Sequence, residues 1–214
     1  MDKNHKAVIR HDIDVSLKMS LEIAEIEKKL DIHATYMVMT NSLLYSLEEK
    51  ESKTSILQLI KSGHEIGLHF DSSQIDSNDS DIIQHEIRKD CKKLEKITNC
   101  KVLSISFHRP TPAFLRGPLK IDGRINAYGK ELMFWYLSDS RGRWIAGEPL
   151  PKVSNPDKLM LQILIHPIWW GKKHETAKKR LEDYFDKKSN GLSPTKKKKL
   201  IEDVFRTIDM RLKN

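Results

Sequence analysis

Apolar and polar positions along the chain switch repeatedly between two periods. Ala7 to Ile13 reads as a strand with period two, which puts Val8, Arg10, Asp12 and then Asp14 on one face and Ile9, His11 and Ile13 on the other. From Leu17 to Leu30 the period becomes helical, with Leu17, Leu21, Ile23, Ala24, Ile26 and Leu30 set among lysines and glutamates, and Ser16 stands where an N-cap belongs. "ATYMVM" at 34–39 predicts a strand, 55–61 a short helix stopped at Gly63, and "HEIGLHF" at 64–70 a further strand. A long helix over 79–97 and a strand over "KVLSISF", 101–107, repeat the alternation.

Residues 108–160 are rich in glycine and proline, with "MFWYLSD" at 133–139 and "RWIAG" at 143–147 as possible short strands. "KLMLQILIH" at 158–166 reads as a buried strand ending at Pro167. Two amphipathic helices close the chain, from about Lys173 to Lys187 and from about Thr195 to Leu212, with "SNGLSP" supplying stop and start signals between them.

Strands alternating with helices predict a mostly parallel α/β arrangement. With 214 residues the chain can bury a sizeable core, and it reads as one domain over 1–214, of which 173–214 is a basic helical C-terminal region. The two closing helices could cover the sheet or pair with another subunit.

Charge changes the picture only slightly. The formal net charge is +8, concentrated in runs such as Lys172-Lys173, Lys178-Lys179-Arg180 and Lys196 to Lys199. Such runs read first as solvated helix faces, and then as sites for an anionic partner. Binding of nucleic acid through this tail is the weakest of three functional readings, because the lysines lack interleaved aromatics or a recognition motif. Two cysteines without CxxC spacing fit a reducing compartment, and no stretch approaches the roughly 20 apolar residues of a membrane span, so a cytoplasmic protein without a transmembrane segment is expected. No GxxxxGK[ST] or GxGxxG is present, so no nucleotide cofactor is expected, and no GxSxG elbow points to a serine nucleophile.

The polar residues at strand ends form a pattern. His69 ends the third strand, His108 and Arg109 follow the fourth, and His166 ends the last, at the carboxyl ends where parallel α/β proteins assemble their sites. His5, His33, His85 and His174, by contrast, read as surface residues. Aspartate and histidine suit a borderline cation such as Zn²⁺, which lowers the pKa of bound water and polarises a carbonyl. A second carboxylate could accept the water's proton, and a histidine across the substrate could protonate the leaving group.

These residues carry a resemblance to the polysaccharide deacetylases, the NodB-homology or carbohydrate esterase family 4 group. "HDID" at 11–14 resembles the family's opening aspartate motif, and "SGHEIGLH" at 62–69 resembles the stretch leading into its metal-binding histidine. "FHRPTP" at 107–112 is similar to the arginine and proline motif, "SDSRGRW" at 138–144 to the aspartate and tryptophan motif, and "LQILIHP" at 161–167 to the final leucine-histidine motif. The order is the family's, and the matches span Ile9 to Pro167.

The resemblance implies an irregular or incomplete (β/α) barrel, since a full eight-unit barrel takes about 250 residues. It implies a divalent metal, zinc first, and an acetylated sugar or glycan as substrate. It makes Asp12 the general base, Asp14 and His69 metal ligands, Arg109 the residue that orients the base, His166 the general acid and Asp139 its partner. Trp144 would line the acetyl or sugar pocket, with Trp169 and Trp170 as further aromatic surface just past His166.

Two departures stand out. The family's aspartates are adjacent, whereas Ile13 separates Asp12 from Asp14; and Ser73 stands where a second metal histidine is usual, leaving Asp71, His11 and His108 as candidates for a further ligand. Two readings follow: a metal-dependent carbohydrate deacetylase, or a catalytically inactive protein of that fold that binds a glycan or a protein partner.

Overall fold

The computed structural model describes residues 6–75, 79–110, 112, 114–133, 135–147, 149, 160–188 and 193–209. Its strands are β1 (Lys6–Ile13), β2 (Thr35–Val38), β3 (Glu65–Asp71), β4 (Ser104–His108), β5 (Lys120–Ile121), β6 (Arg124–Asn126), β7 (Tyr136–Ser138) and β8 (Met160–Ile165). They form one eight-stranded sheet in the order β5-β6-β4-β3-β2-β1-β8-β7, parallel throughout except for the β5–β6 hairpin. The helices are α1 (Leu17–Lys29), α2 (Lys50–Lys61), α3 (Ser80–Thr98), α4 (Ala177–Lys188) and α5 (Pro194–Asp209).

Local chemistry explains the boundaries. Ser16 Oγ accepts from the Met19 N–H at 3.4 Å and opens α1, as its position predicts. Asp79 caps α3, and Asn99 in the left-handed region (φ 54) ends it. The β5–β6 hairpin falls in the glycine- and proline-rich middle of the chain. Its turn is Asp122-Gly123, both at positive φ (49 and 75), the Asp-Gly signature that suits a tight two-residue hairpin. "RWIAG" is not a strand: 143–147 is bend and turn, with Ile145 57% exposed. The helix expected from Lys173 begins at Ala177, and the one expected from Ser55 already begins at Lys50.

The sheet curls into a half-barrel, and its two faces differ in kind. Outward residues such as Ile13, Val38, Leu68, Phe70, Ile105 and Phe107 pack with Ile56, Leu59, Ile83, Ile87 and Leu94 of the helices in one apolar core. The inward face is polar, carrying Arg10, Asp12, His69, Ser104, Ser106 and Gln162, all buried. Side chains bridge the open gap between the two ends of the sheet. Gln162 Nε2 on β8 donates to the carbonyls of Ala127 and Leu132, each at 3.0 Å, and the Tyr128 and Tyr136 rings lie 6.3 Å apart. Helices α4 and α5 join through a second, smaller apolar cluster of Val15, Ile168, Leu181, Phe185, Ile201 and Val204.

Candidate active site

The carboxyl ends of β1, β3, β4 and β8 bring Asp14, His69, His108 and His166 together. Asp14, one residue past β1, has Oδ1 3.1 Å from His69 Nε2 and 3.2 Å from His108 Nδ1, while its Oδ2 lies 3.8 Å from His166 Nε2. One donor atom each from Asp14, His69 and His108 falls within 4.8 Å of the others. Asp14 Oδ1 is buried, and although the imidazoles are close, neither is aligned to hydrogen-bond it. Two imidazole nitrogens beside a buried, unsatisfied carboxylate oxygen make a three-donor arrangement that a divalent cation with mixed nitrogen and oxygen preference fits. Burial raises the Asp14 carboxyl pKa, but His108, His69 and His166 overcome it and hold the group well below the carboxylate range.

Behind this cluster sits Asp12. Arg10, two residues earlier on the same face, places Nε 3.0 Å from Asp12 Oδ1 and Nη2 3.2 Å from Oδ2. The guanidinium is itself fixed: Nη1 donates to Gln162 Oε1 at 3.1 Å, and the Tyr128 ring lies 4.5 Å from its carbon. Burial opposes the charge on Asp12, yet Arg10 and then His69 and His166 win and keep its carboxyl below the ordinary value. Ser106 Oγ links Asp12 to the cluster, 3.3 Å from Asp12 Oδ1 and 2.6 Å from His69 Nδ1. With Nδ1 of His69 engaged by the serine, Nε2 is turned toward Asp14.

Across the cluster, His166 Nδ1 lies 2.7 Å from Asp139 Oδ1, and the His166 backbone N–H donates to both Asp139 oxygens at 3.0 Å. The Trp170 indole N–H donates to Asp139 Oδ2 at 2.7 Å. Burial disfavours an imidazolium here, but the Asp139 carboxylate outweighs it and the His166 pKa is pushed up to about 9.

Several sequence expectations need correction. Arg109 does not meet Asp12: at φ 51 it turns the chain sharply after β4 and sends Nη2 to Asp71 Oδ2 (3.1 Å) and Ser73 Oγ (2.5 Å). Asp71, held by that arginine and by Ser73 (Oγ 2.6 Å), is committed to this clasp and is not in the donor cluster. His11 lies on the other face of β1, where Nε2 is 2.8 Å from Glu27 Oε1 of α1 and the ring stacks on Tyr36. It cannot reach Asp14. Trp169, partly buried, packs against the α4–α5 cluster with its indole nitrogen buried, whereas Trp144 and Trp170 meet edge to face at 6.1 Å. Trp135 is 38% exposed.

Arg10 and Ser106 contact the site residues but lie outside the roles that the motifs imply. A period-two pattern is the signal that could find them: Arg10 shares a face with Asp12, and Ser106 shares one with His108.

No protein-family profile matches the chain, and no curated protein matches it. Among solved structures, a Streptococcus mutans CE4 esterase aligns with a TM-score of 0.50 at 16% identity, covering 77% of this chain and 74% of the other. A CE4 family pseudoenzyme from Bacillus anthracis aligns at 0.49 and 18% identity over 78% of this chain, which spans only 56% of that protein. A family 4 carbohydrate esterase from Streptomyces lividans aligns at 0.47 and 11% identity, covering 79% and 81% of the two chains. At such identities the likeness speaks to architecture: this chain has the fold of the carbohydrate esterase family 4 deacetylases and esterases.

Proposed function

We propose that the chain is a metal-dependent hydrolase that removes an acetyl group from an N-acetylated sugar or glycan. The observation that carries this reading is the placement of a donor cluster, Asp14, His69 and His108, between a carboxylate gripped by Arg10 and an imidazole held by Asp139. These three residues would hold a divalent cation, zinc first by the chemistry of the donors, and the cation when bound supplies Lewis-acid polarisation of an acyl carbonyl and acidifies water.

The remaining work falls to the chain's own groups. Asp12, kept ionised by Arg10, takes the proton from the attacking water through a carboxylate oxygen. Ser106 keeps His69 in the tautomer that faces the cluster. His166 Nε2 delivers a proton to the departing nitrogen, and Asp139, held by the Trp170 indole, keeps that proton available through neutral pH. Trp144 and the partly exposed Trp170 flank the acid and offer flat apolar faces to a sugar ring.

The second reading, a glycan- or protein-binding relative without catalysis, is favoured by Ser73, whose hydroxyl is tied into the Asp71–Arg109 clasp and offers the cluster no imidazole. The test is acetate release from a panel of N- and O-acetylated oligosaccharides by zinc-loaded protein. Release that disappears in Asp12→Asn and His166→Asn supports hydrolysis; no release from any substrate by protein that retains metal overturns it in favour of binding.

A further inference from the structure

Around the acid side of the cleft the surface is basic as well as aromatic. Arg143 is exposed immediately before Trp144, and Lys172 and Lys173 are exposed just after Trp170, the two tryptophans being in edge contact at 6.1 Å. None of these three cations has an ion-pair partner among the described residues. The nearby acids are already engaged: Asp139 is buried against His166 and Trp170, and Glu175 lies 3.8 Å from Arg180.

This segment is also anchored. Arg180 of α4 donates through Nη1 to the Trp170 carbonyl at 3.3 Å and through Nη2 to the Lys173 carbonyl, which fixes the backbone that presents both lysines. Gly171 permits it, because a Cβ at that position would run into the guanidinium. The loop 140–142 packs against the same region, a Cβ at Gly142 meeting Ala177 at 2.9 Å and Trp169 at 3.5 Å. Arg143, Lys172 and Lys173 are thus exposed cations within one to three residues, along the chain, of the Trp144–Trp170 pair.

We propose that this surface is a subsite for an anionic sugar unit, so that the substrate is an acidic glycan carrying carboxylate groups next to the acetylated residue. The inference rests on the hydrolase reading for the position of the acetylated unit, while the subsite itself rests on the Trp144–Trp170 pair and its cations. Rings stack on the indoles, and the acidic substituents meet Arg143, Lys172 and Lys173, with a large salt-sensitive component because the charges are exposed.

Two tetrasaccharides that share N-acetylglucosamine test it: neutral chitotetraose and a hyaluronan tetrasaccharide, in which glucuronate alternates with it. Binding is measured by titration calorimetry at low and high salt. The proposal expects the acidic sugar to bind about tenfold tighter in 50 mM salt, most of the preference to vanish near 500 mM, and Lys172→Glu/Lys173→Glu to abolish it with an unchanged circular dichroism spectrum. Equal affinity for the two sugars, binding of neither, or a preference that survives the double variant overturns it. Acetate release separates the two claims. Hydrolysis without preference for the acidic sugar removes the subsite and leaves the hydrolase reading, whereas tight binding of the acidic sugar without hydrolysis does the reverse.

Discussion

The two halves of the candidate site are built differently. On the acid side, Asp139 of the loop after β7 and His166 after β8 meet as their motifs imply, locked by four contacts that include the Trp170 indole. On the Asp12 and donor side the contacts are made by residues other than those the motifs imply. Arg10, not Arg109, grips Asp12, and His108, not a residue at position 73, completes the cluster with Asp14 and His69. A carboxylate needs a fixed cation and an imidazole needs a fixed carboxylate, but the geometry leaves open which strand provides them. Period two on β1 makes the substitution possible, since Arg10 and Asp12 share the inward face and their side chains meet two residues apart.

The largest effects expected are on catalysis. Asp12→Asn and His166→Asn should each lower kcat by about 10²–10⁴-fold, the range for loss of a general base or acid, measured as acetate release. A loss confined to one of them would break the symmetry between the halves.

Next comes the arginine exchange. Arg10→Ala leaves buried Asp12 without its partner and should cost about 3–5 kcal/mol of stability by denaturant titration. Arg10→Met, filling the space without charge, should still lose kcat with KM little changed. Arg109→Ala removes a partly exposed pair and should cost about 1 kcal/mol or less. Equal costs for the two arginines would contradict the rewired base side.

Ser106→Ala should weaken metal affinity by about 10–100-fold, the usual effect of removing the group that orients a ligating histidine, while Ser73→Ala leaves affinity unchanged in metal titrations.

The smallest effect, on pH dependence, sharpens the contrast. His166 has a pKa of about 9 in the fold against 6.5 for an ordinary imidazole. Its stabilisation is therefore complete below about 6.5 and is lost as pH rises through about 9. Asp12 and Asp14 are depressed below 3.8, so their contribution is present above that value and is lost on acidification. Melting temperatures of the metal-free protein should fall on the alkaline side through the acid half alone, and Asp139→Asn should remove that fall.

The legible and illegible parts of the fold divide for physical reasons. β1, β3, β4 and β8 are strand-forming runs with polar carboxyl ends, so their existence is legible, and a parallel sheet brings Asp14, His69 and His166 to one edge. The β5–β6 hairpin has only two and three residues per strand, too few for a periodic signal, and only its Asp-Gly turn marks it. The assignment of Arg109 to Asp12 fails because a left-handed residue redirects the chain after His108, a dihedral that no residue pattern announces. His11 misleads for the opposite reason: it neighbours Asp12 in sequence, but the strand turns it to the helix side.

Metal content tests the central claim most directly, measured by plasma emission on protein purified without chelator and then exposed to zinc. The variants are Asp14→Ala, His69→Ala, His108→Ala and Ser73→Ala beside the wild type. The account predicts about one equivalent of divalent metal in the wild type and in Ser73→Ala, and its loss from the other three. Metal retained in His108→Ala, or none bound by the wild type, would contradict it.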